Sequence, residues 1–333
     1  MMAREVGDAI GVLMNAQPGS VSVHLNVTSC QAVIASCFDF SGRRNKIVYS
    51  DMNFPSIMYF WEGQRSRGAR VHMVHTDDGV HVPTERLIEA IDEETLLVPI
   101  SHVVFRSSFI KDVKAIVEKA HRVGAHVVLD CFQSLGNVPV DVQALNVDFA
   151  VGGVLKWLCG GPGTSYLYVR PDLAPKLEPK LTGWFAHEDP FAFEIGANQY
   201  GEPPFRFMQG TSNVPGFYTA MPGLKIIREA GVERIREKSK KMTARLIELA
   251  DQRGWRVNAP RDPEQRGGTI AIDMPNAKEV CQELLKRDVL VDFRPRAGVR
   301  FSPHFYNTME EIERAIATVD EILSRMGVAA AMP

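Results

Sequence analysis

Between Val21 and Arg170 short β-branched runs alternate with longer amphipathic segments, and no other feature restricts the fold as much. The spacing predicts strands at Val21–Leu25, Lys46–Tyr49, Arg70–Val74, Leu96–Ile100, His126–Leu129, Phe149–Val151 and Ser165–Val169. Helical patterns at Pro55–Gln64, Pro83–Ala90 and Lys111–Val123 lie between several of them. Strands that read as continuous apolar runs are buried on both faces, so helices must cover both sides of a mostly parallel sheet. The predicted class is α/β, a large domain on a seven-stranded sheet with a smaller α/β domain after it. In such sheets ligands sit at the carboxyl ends of the strands, which is where chemistry is to be sought.

The rhythm breaks at Arg170–Asn213, a proline-rich stretch that also carries Trp184, Phe185, Phe191, Phe193, Tyr200, Phe205 and Phe207. So many aromatics predict an active-site wall rather than a flexible linker. A long helical region follows over Val214–Arg253. The C-terminal unit is predicted as strand Gly268–Asp273, helix Ala277–Lys286, strands Val289–Phe293 and Val299–Phe301, and helix Met309–Met326. This divides the chain into a large domain (1–212), a connecting helix (213–253), a small domain (254–326) and a frayed tail, Gly327–Pro333.

Composition narrows the function. The net charge of −2 over 333 residues comes with interspersed signs, so neither nucleic acid nor an anionic membrane is a predicted partner. The five cysteines are odd in number and dispersed, and the nine histidines show no ligand spacing. A reducing, cytoplasmic setting without a structural metal is expected. The first residues lack the apolar stretch of a signal peptide, and no run is long enough for a membrane span.

Two strand ends carry the chemistry. His126-Val-Val-Leu-Asp130 delivers a carboxylate at the end of a buried strand, and Phe149-Ala-Val-Gly-Gly-Val-Leu-Lys156 runs through two glycines into a lysine. Alone, each has a plain explanation, a helix cap or a solvated lysine. On neighbouring strands they put one carboxylate and one amine on the same rim. Pyridoxal-phosphate chemistry needs that pair, the lysine as Schiff-base partner and the carboxylate to keep the ring nitrogen protonated. The ring would in turn hold Asp130 ionised. Gly160-Gly-Pro-Gly163 is open to two readings, close approach to a ligand or a structural turn. Thr28-Ser29 opens a helical stretch and reads equally as a phosphate site or an N-cap.

The segment Asp130-Cys-Phe-Gln-Ser-Leu-Gly136 followed by Lys156 resembles the core of the class V aminotransferase superfamily, and within it the chain is most similar to kynureninases. The matching stretches are Asn53-Phe-Pro-Ser56, Ser101-His-Val, Gly136-Asn-Val-Pro-Val-Asp141, Gly160-Gly-Pro-Gly163, Gly183-Trp-Phe-Ala-His187 and Gly298-Val-Arg-Phe301. The resemblance implies the fold-type-I architecture of pyridoxal-phosphate-dependent transferases, and a homodimer whose active sites are shared between subunits. Residue by residue it implies that Phe54 stacks on the cofactor ring and that Thr28 and Ser29 hold its phosphate. Ser101 and Gln133 would lie beside the ring, Asp130 would pair with its nitrogen, and Lys156 would be the covalent partner. Trp184 would line the pocket at the dimer interface. Arg300, with Thr211, would bind the substrate, Arg300 gripping the α-carboxylate.

The match has gaps. Gln133 stands where kynureninases carry a histidine, Leu155 where they carry a tyrosine, and Ile57 where they carry an aspartate. Gly153-Val-Leu lacks the serine and histidine that precede the lysine in desulfurases. The chain also begins where family members have already run for some tens of residues, an arm expected to help close the site. The expected activity is kynureninase-like hydrolytic cleavage at the β-carbon of an α-amino acid. The alternatives are a class V aminotransferase, epimerase or β-lyase, then a cysteine desulfurase, disfavoured by Cys281 inside a helical pattern, and a non-catalytic relative.

Overall fold

The computed structural model describes residues 2–328. Helix α1 (Met2–Leu13) precedes strand β1 (Val21–His24), and α2 (Val27–Ser36) follows it. The chain then runs β2 (Lys46–Ser50), α3 (Pro55–Gly63), β3 (Arg70–Val74), α4 (Thr84–Ala90), β4 (Thr95–Ser101), α5 (Val113–Val123), β5 (His126–Asp130), α6 (Val142–Leu145), β6 (Phe149–Gly153) and β7 (Ser165–Val169). These strands form one sheet in the order β1-β7-β6-β5-β4-β2-β3. All pairings from β6 to β3 are parallel, and the two that involve β7 are antiparallel.

Helix α5 illustrates why the local sequence folds this way. The Asp112 side chain accepts from the Ala115 amide and caps the N-terminus, while Val113, Ile116, Val117 and Ala120 place one apolar stripe on the sheet. Full burial of an aliphatic side chain stabilises by roughly 1.5–3 kcal/mol, so a charge at Ile116, which is fully buried, would undo the docking of this helix. Two apolar clusters, one on each face, sandwich the sheet.

The long helical region is two helices, α7 (Val214–Ala230) and α8 (Val232–Asp251). Gly231 separates them at φ 79°, a conformation other residues adopt at a cost, and its amide closes α7 on the Ile227 carbonyl. The expectation of a single connecting helix is corrected accordingly. Helix α8 gives Val232 and Ile235 to one core of the large sheet and Met242, Leu246 and Ala250 to a separate third core. That third core lies between α8, α9 (Ala277–Leu285), α10 (Met309–Arg325) and a second sheet. The second sheet has the order β10 (Asp292–Arg294), β11 (Gly298–Phe301), β9 (Ile270–Asp273), β8 (Arg256–Val257), antiparallel throughout. Of the tail expected to fray, residues 329–333 lie outside the described residues. Among the described residues no helix is long and apolar enough to cross a membrane.

Candidate active site

Parallel pairing in register places Ser101, at the end of β4, beside Asp130, at the end of β5. Asp130 is buried, and one oxygen accepts from the Phe132 amide at 2.9 Å. Burial pushes its carboxyl up, against the pull of the Phe132 amide and of Lys156 and Lys111. Strand β6 ends in Gly152 and Gly153 because rings fill the space on either side. A Cβ on Gly152 would run into the Tyr166 hydroxyl, and one on Gly153 would sit 2.7 Å from Phe132 Cζ. The chain slips between these rings and releases Lys156 onto the rim, its Nζ 4.6 Å from the Phe132 ring centroid and 5.8 Å from that of Phe54.

Burial pulls the Lys156 amine down to about 8, with Asp130 opposing and the Arg300 and Arg294 charges adding to the drop. A substantial fraction is thus neutral, and nucleophilic, near physiological pH.

The opposite wall comes from α2 and α3. Phe54 stands at the α3 N-cap, half-exposed, with Phe105 packed edge-on at 5.2 Å. Asn26 caps α2, accepting from the Ser29 amide at 2.9 Å and from the Ser29 hydroxyl at 3.1 Å. The result is a cavity of about 240 Å³ lined by Asn26, Thr28, Phe54, Ser101, Phe105, Asp130, Phe132, Gln133, Leu155 and Lys156, among others.

This lining fits pyridoxal phosphate. A buried carboxylate could pair with a protonated ring nitrogen, aromatic rings flank an amine, and a helix N-terminus with a hydroxyl on the lining could receive a phosphate. The profile of the family Aminotransferase class-V matches residues 8–315.

The chain belongs to the class V aminotransferase family.

As a class V aminotransferase it is a pyridoxal-phosphate-dependent enzyme with the fold expected of that family. It is 34% identical over 314 residues to the uncharacterized aminotransferase YcbU of Bacillus subtilis, covering 94% of this chain and 81% of that protein. It is 30% identical over 339 residues to the kynureninase of Bacillus thuringiensis, covering 97% of this chain and 78% of that one. The apo cysteine desulfurase of Thermococcus onnurineus superposes with a TM-score of 0.88 at 24% identity, over 97% of this chain and 84% of that one.

Of the site residues expected from the sequence of this class V aminotransferase, Thr28, Phe54, Ser101, Asp130, Gln133 and Lys156 meet on the cavity, and the others do not. Ser29 is turned to Asn26 as part of the helix cap. Trp184 packs with Phe185, Phe191 and Phe193 and lines a different hollow. Thr211 is exposed beside a small pocket near His24. Arg300 lies on the lysine's side but is engaged. Its Nε donates to Asp292 Oδ1 at 2.6 Å, its Nη2 to Asp292 Oδ2, and its Nη1 to the Phe105 carbonyl at 2.6 Å. Gly160, Gly161 and Gly163 pack against Val154, Thr219 and Asn213, which favours the structural reading of that loop. Ile57 is buried and lines the cavity with an apolar side chain where the family carries an aspartate.

Sequence reasoning passed over Phe132, Phe105 and Lys111. Lys111 is buried, its Nζ donates to the Ser101 carbonyl at 3.3 Å and to Asn53 Oδ1 at 3.5 Å, and burial pulls it down to about 7. A lysine just ahead of a capping aspartate looks like an exposed helix start, so nothing local marked it. Asp292, opposite Arg300, and Arg294, opposite Gly298, did leave a signal, two charges at strand spacing.

Proposed function

We propose that this enzyme moves the amino group of an α-amino acid with an apolar or aromatic side chain, using Lys156 as the acid–base group at the substrate Cα. The observation that carries this is the lining itself. Among its described residues Lys156 and Asp130 are the titratable side chains, and Leu155 stands beside the lysine. The bound cofactor supplies the electron sink that makes the Cα–H acidic. Asp130 would hold the proton on the ring nitrogen, Thr28 and the first amides of α2 would receive the phosphate, and Phe54 would restrain the ring. Lys156, its amine lowered to about 8, would take the proton from the substrate Cα and hold it for return within the site. That sequence needs one base, and hydrolysis at the β-carbon needs more. This ordering reverses the expectation drawn from the sequence.

Kynureninase-like cleavage at the β-carbon is the second reading. Phe54, Phe105 and Phe132 offer an aromatic wall for an aryl side chain, and the kynureninase relatives align over nearly the whole chain. Product analysis separates the two. With an amino acid and a 2-oxo-acid acceptor, transamination gives a new amino acid, whereas cleavage of kynurenine releases anthranilate and alanine without an acceptor. Lys156→Ala is expected to lose the borohydride-fixed cofactor adduct and to cut turnover by about a thousandfold or more. An adduct that persists in that variant would remove Lys156 from its role.

We further propose a cytoplasmic homodimer. The five cysteines are free thiols, and Trp184, Phe191, Phe193 and Ile195 form an exposed apolar stretch suited to a second copy. Sedimentation should give a dimer that Phe193→Asp weakens; a wild-type monomer would rule this out.

A further inference from the structure

Among the described residues no hydrogen bond holds the Lys156 amine, which faces the Phe132 and Phe54 rings at 4.6 and 5.8 Å. Its place on the rim is therefore set by the backbone turn that carries it, in which the Cys159 amide donates to the Lys156 carbonyl at 3.1 Å. That turn is costly. Cys159 closes it at φ 54°, a left-handed conformation that residues other than glycine and asparagine adopt against steric resistance. Such backbone persists where its surroundings hold it.

His304 stands behind the turn. It comes from the segment between β11 and α10 and is buried. Its Nδ1 accepts from the Phe305 amide at 3.0 Å, which leaves the ring proton on Nε2. Nε2 lies 3.6 Å from Cys159 Sγ, within reach for an N–H that donates to sulfur. The ring also tilts onto Trp157, with centroids 5.2 Å apart. Burial pulls His304 below the ordinary histidine value, and the Lys156 and Trp157 carbonyls oppose that pull. One N–H thus faces the sulfur and two carbonyls of the turn.

The other side of His304 is fixed. Its amide donates to Asn307 Oδ1 at 2.8 Å, and its carbonyl accepts from the Asn307 amide at 2.9 Å. Tyr306 stacks flat on the ring at 4.6 Å, and the adjoining Phe305 carbonyl accepts from Lys238 Nζ at 2.6 Å. Helix α8 and the start of α10 therefore hold the ring still, and a ring so held can impose a position on the turn.

We propose that His304 is a positioning residue for Lys156, its Nε2–H clasping from behind the turn that sets the amine on the cavity rim. The inference rests on Lys156 as the cofactor lysine. It ties the reach of that lysine to the seat of the second sheet.

The readout is the rate at which the apoprotein forms a borohydride-fixed adduct with added pyridoxal phosphate at Lys156, together with the visible circular dichroism of the bound cofactor. His304→Phe keeps a ring against Trp157 and Tyr306 and loses the N–H. It is expected to slow adduct formation about tenfold or more and to weaken the dichroic band, with a thermal midpoint near that of wild type. His304→Gln carries an N–H to a similar reach without the ring, and should stay within about threefold of the wild-type rate. A wild-type rate in His304→Phe would overturn the assignment. So would a loss in His304→Gln that His304→Phe does not share, which would make the ring a packing element alone. Should His304→Phe fail to fold, His304→Asn, whose amide ends short of the turn, takes its place, and a wild-type rate there overturns the proposal equally. Failure of the cofactor reading would show separately, as a wild-type protein that yields no adduct.

Discussion

Asp130 and Asp148 lie at opposite ends of neighbouring parallel strands, and both are buried. Asp148, just ahead of β6, is surrounded by donors. His121 Nε2 reaches it at 2.9 Å, His126 Nδ1 at 3.1 Å, Arg170 Nη1 at 3.1 Å and the Val127 amide at 2.8 Å. Those partners overcome burial and hold its carboxyl far below the ordinary carboxylate range. Asp130 has one backbone amide, and burial wins. The same residue type at the same depth is finished at one end of the sheet and left wanting a partner at the other. A structural carboxylate is satisfied by the fold, and a working one keeps room for the group it serves.

Asp148→Asn against Asp130→Asn is the strongest way to break this contrast. Removing the charge from the saturated cluster should cost about 3 kcal/mol in denaturant unfolding and leave cofactor binding intact. At Asp130 the apoprotein should hold its stability, while cofactor affinity and turnover fall. Equal effects on stability would sink the comparison.

A smaller effect sharpens it through pH. Lys111 is lowered to about 7 in the fold, so between that pH and the ordinary lysine range the unfolded chain binds the extra proton. Stability of the apoprotein should therefore rise with pH across this window. Lys111→Met should lower the slope by at most about 1.4 kcal/mol per pH unit and leave the part that the depressed Lys156 amine contributes above about pH 8. If the slope between about pH 7 and 8 were unchanged in the variant, burial of the Lys111 amine would not be its source.

Much of the fold was legible because its strands are apolar runs between turn residues, and strand ends identify themselves. Asp130 and Lys156 could be paired on paper because parallel neighbours share a rim. What stayed hidden depends on contacts distant in the chain. Whether Ser29 faces a ligand or Asn26 is a matter of one rotamer. Arg300 looked free because its partner, Asp292, is defined by hairpin register, and Lys111 because its burial is set by β4 and Asn53. Trp184 sits among aromatics on the surface, a position that no local pattern encodes.

Strand β1 occupies the end of the large sheet and hydrogen-bonds to β7, a segment made nearly the whole large domain later. Thr28 hangs from β1, and Lys156 comes off β6 just before β7. During synthesis the early residues have no strand to join until Val169 has cleared the ribosome, so the helix start offered to the phosphate waits for the lysine. A nascent chain stalled short of that point holds a carboxylate and no cradle. The place offered to the phosphate is in that sense closed last, by the pairing of the first and last strands of the large sheet.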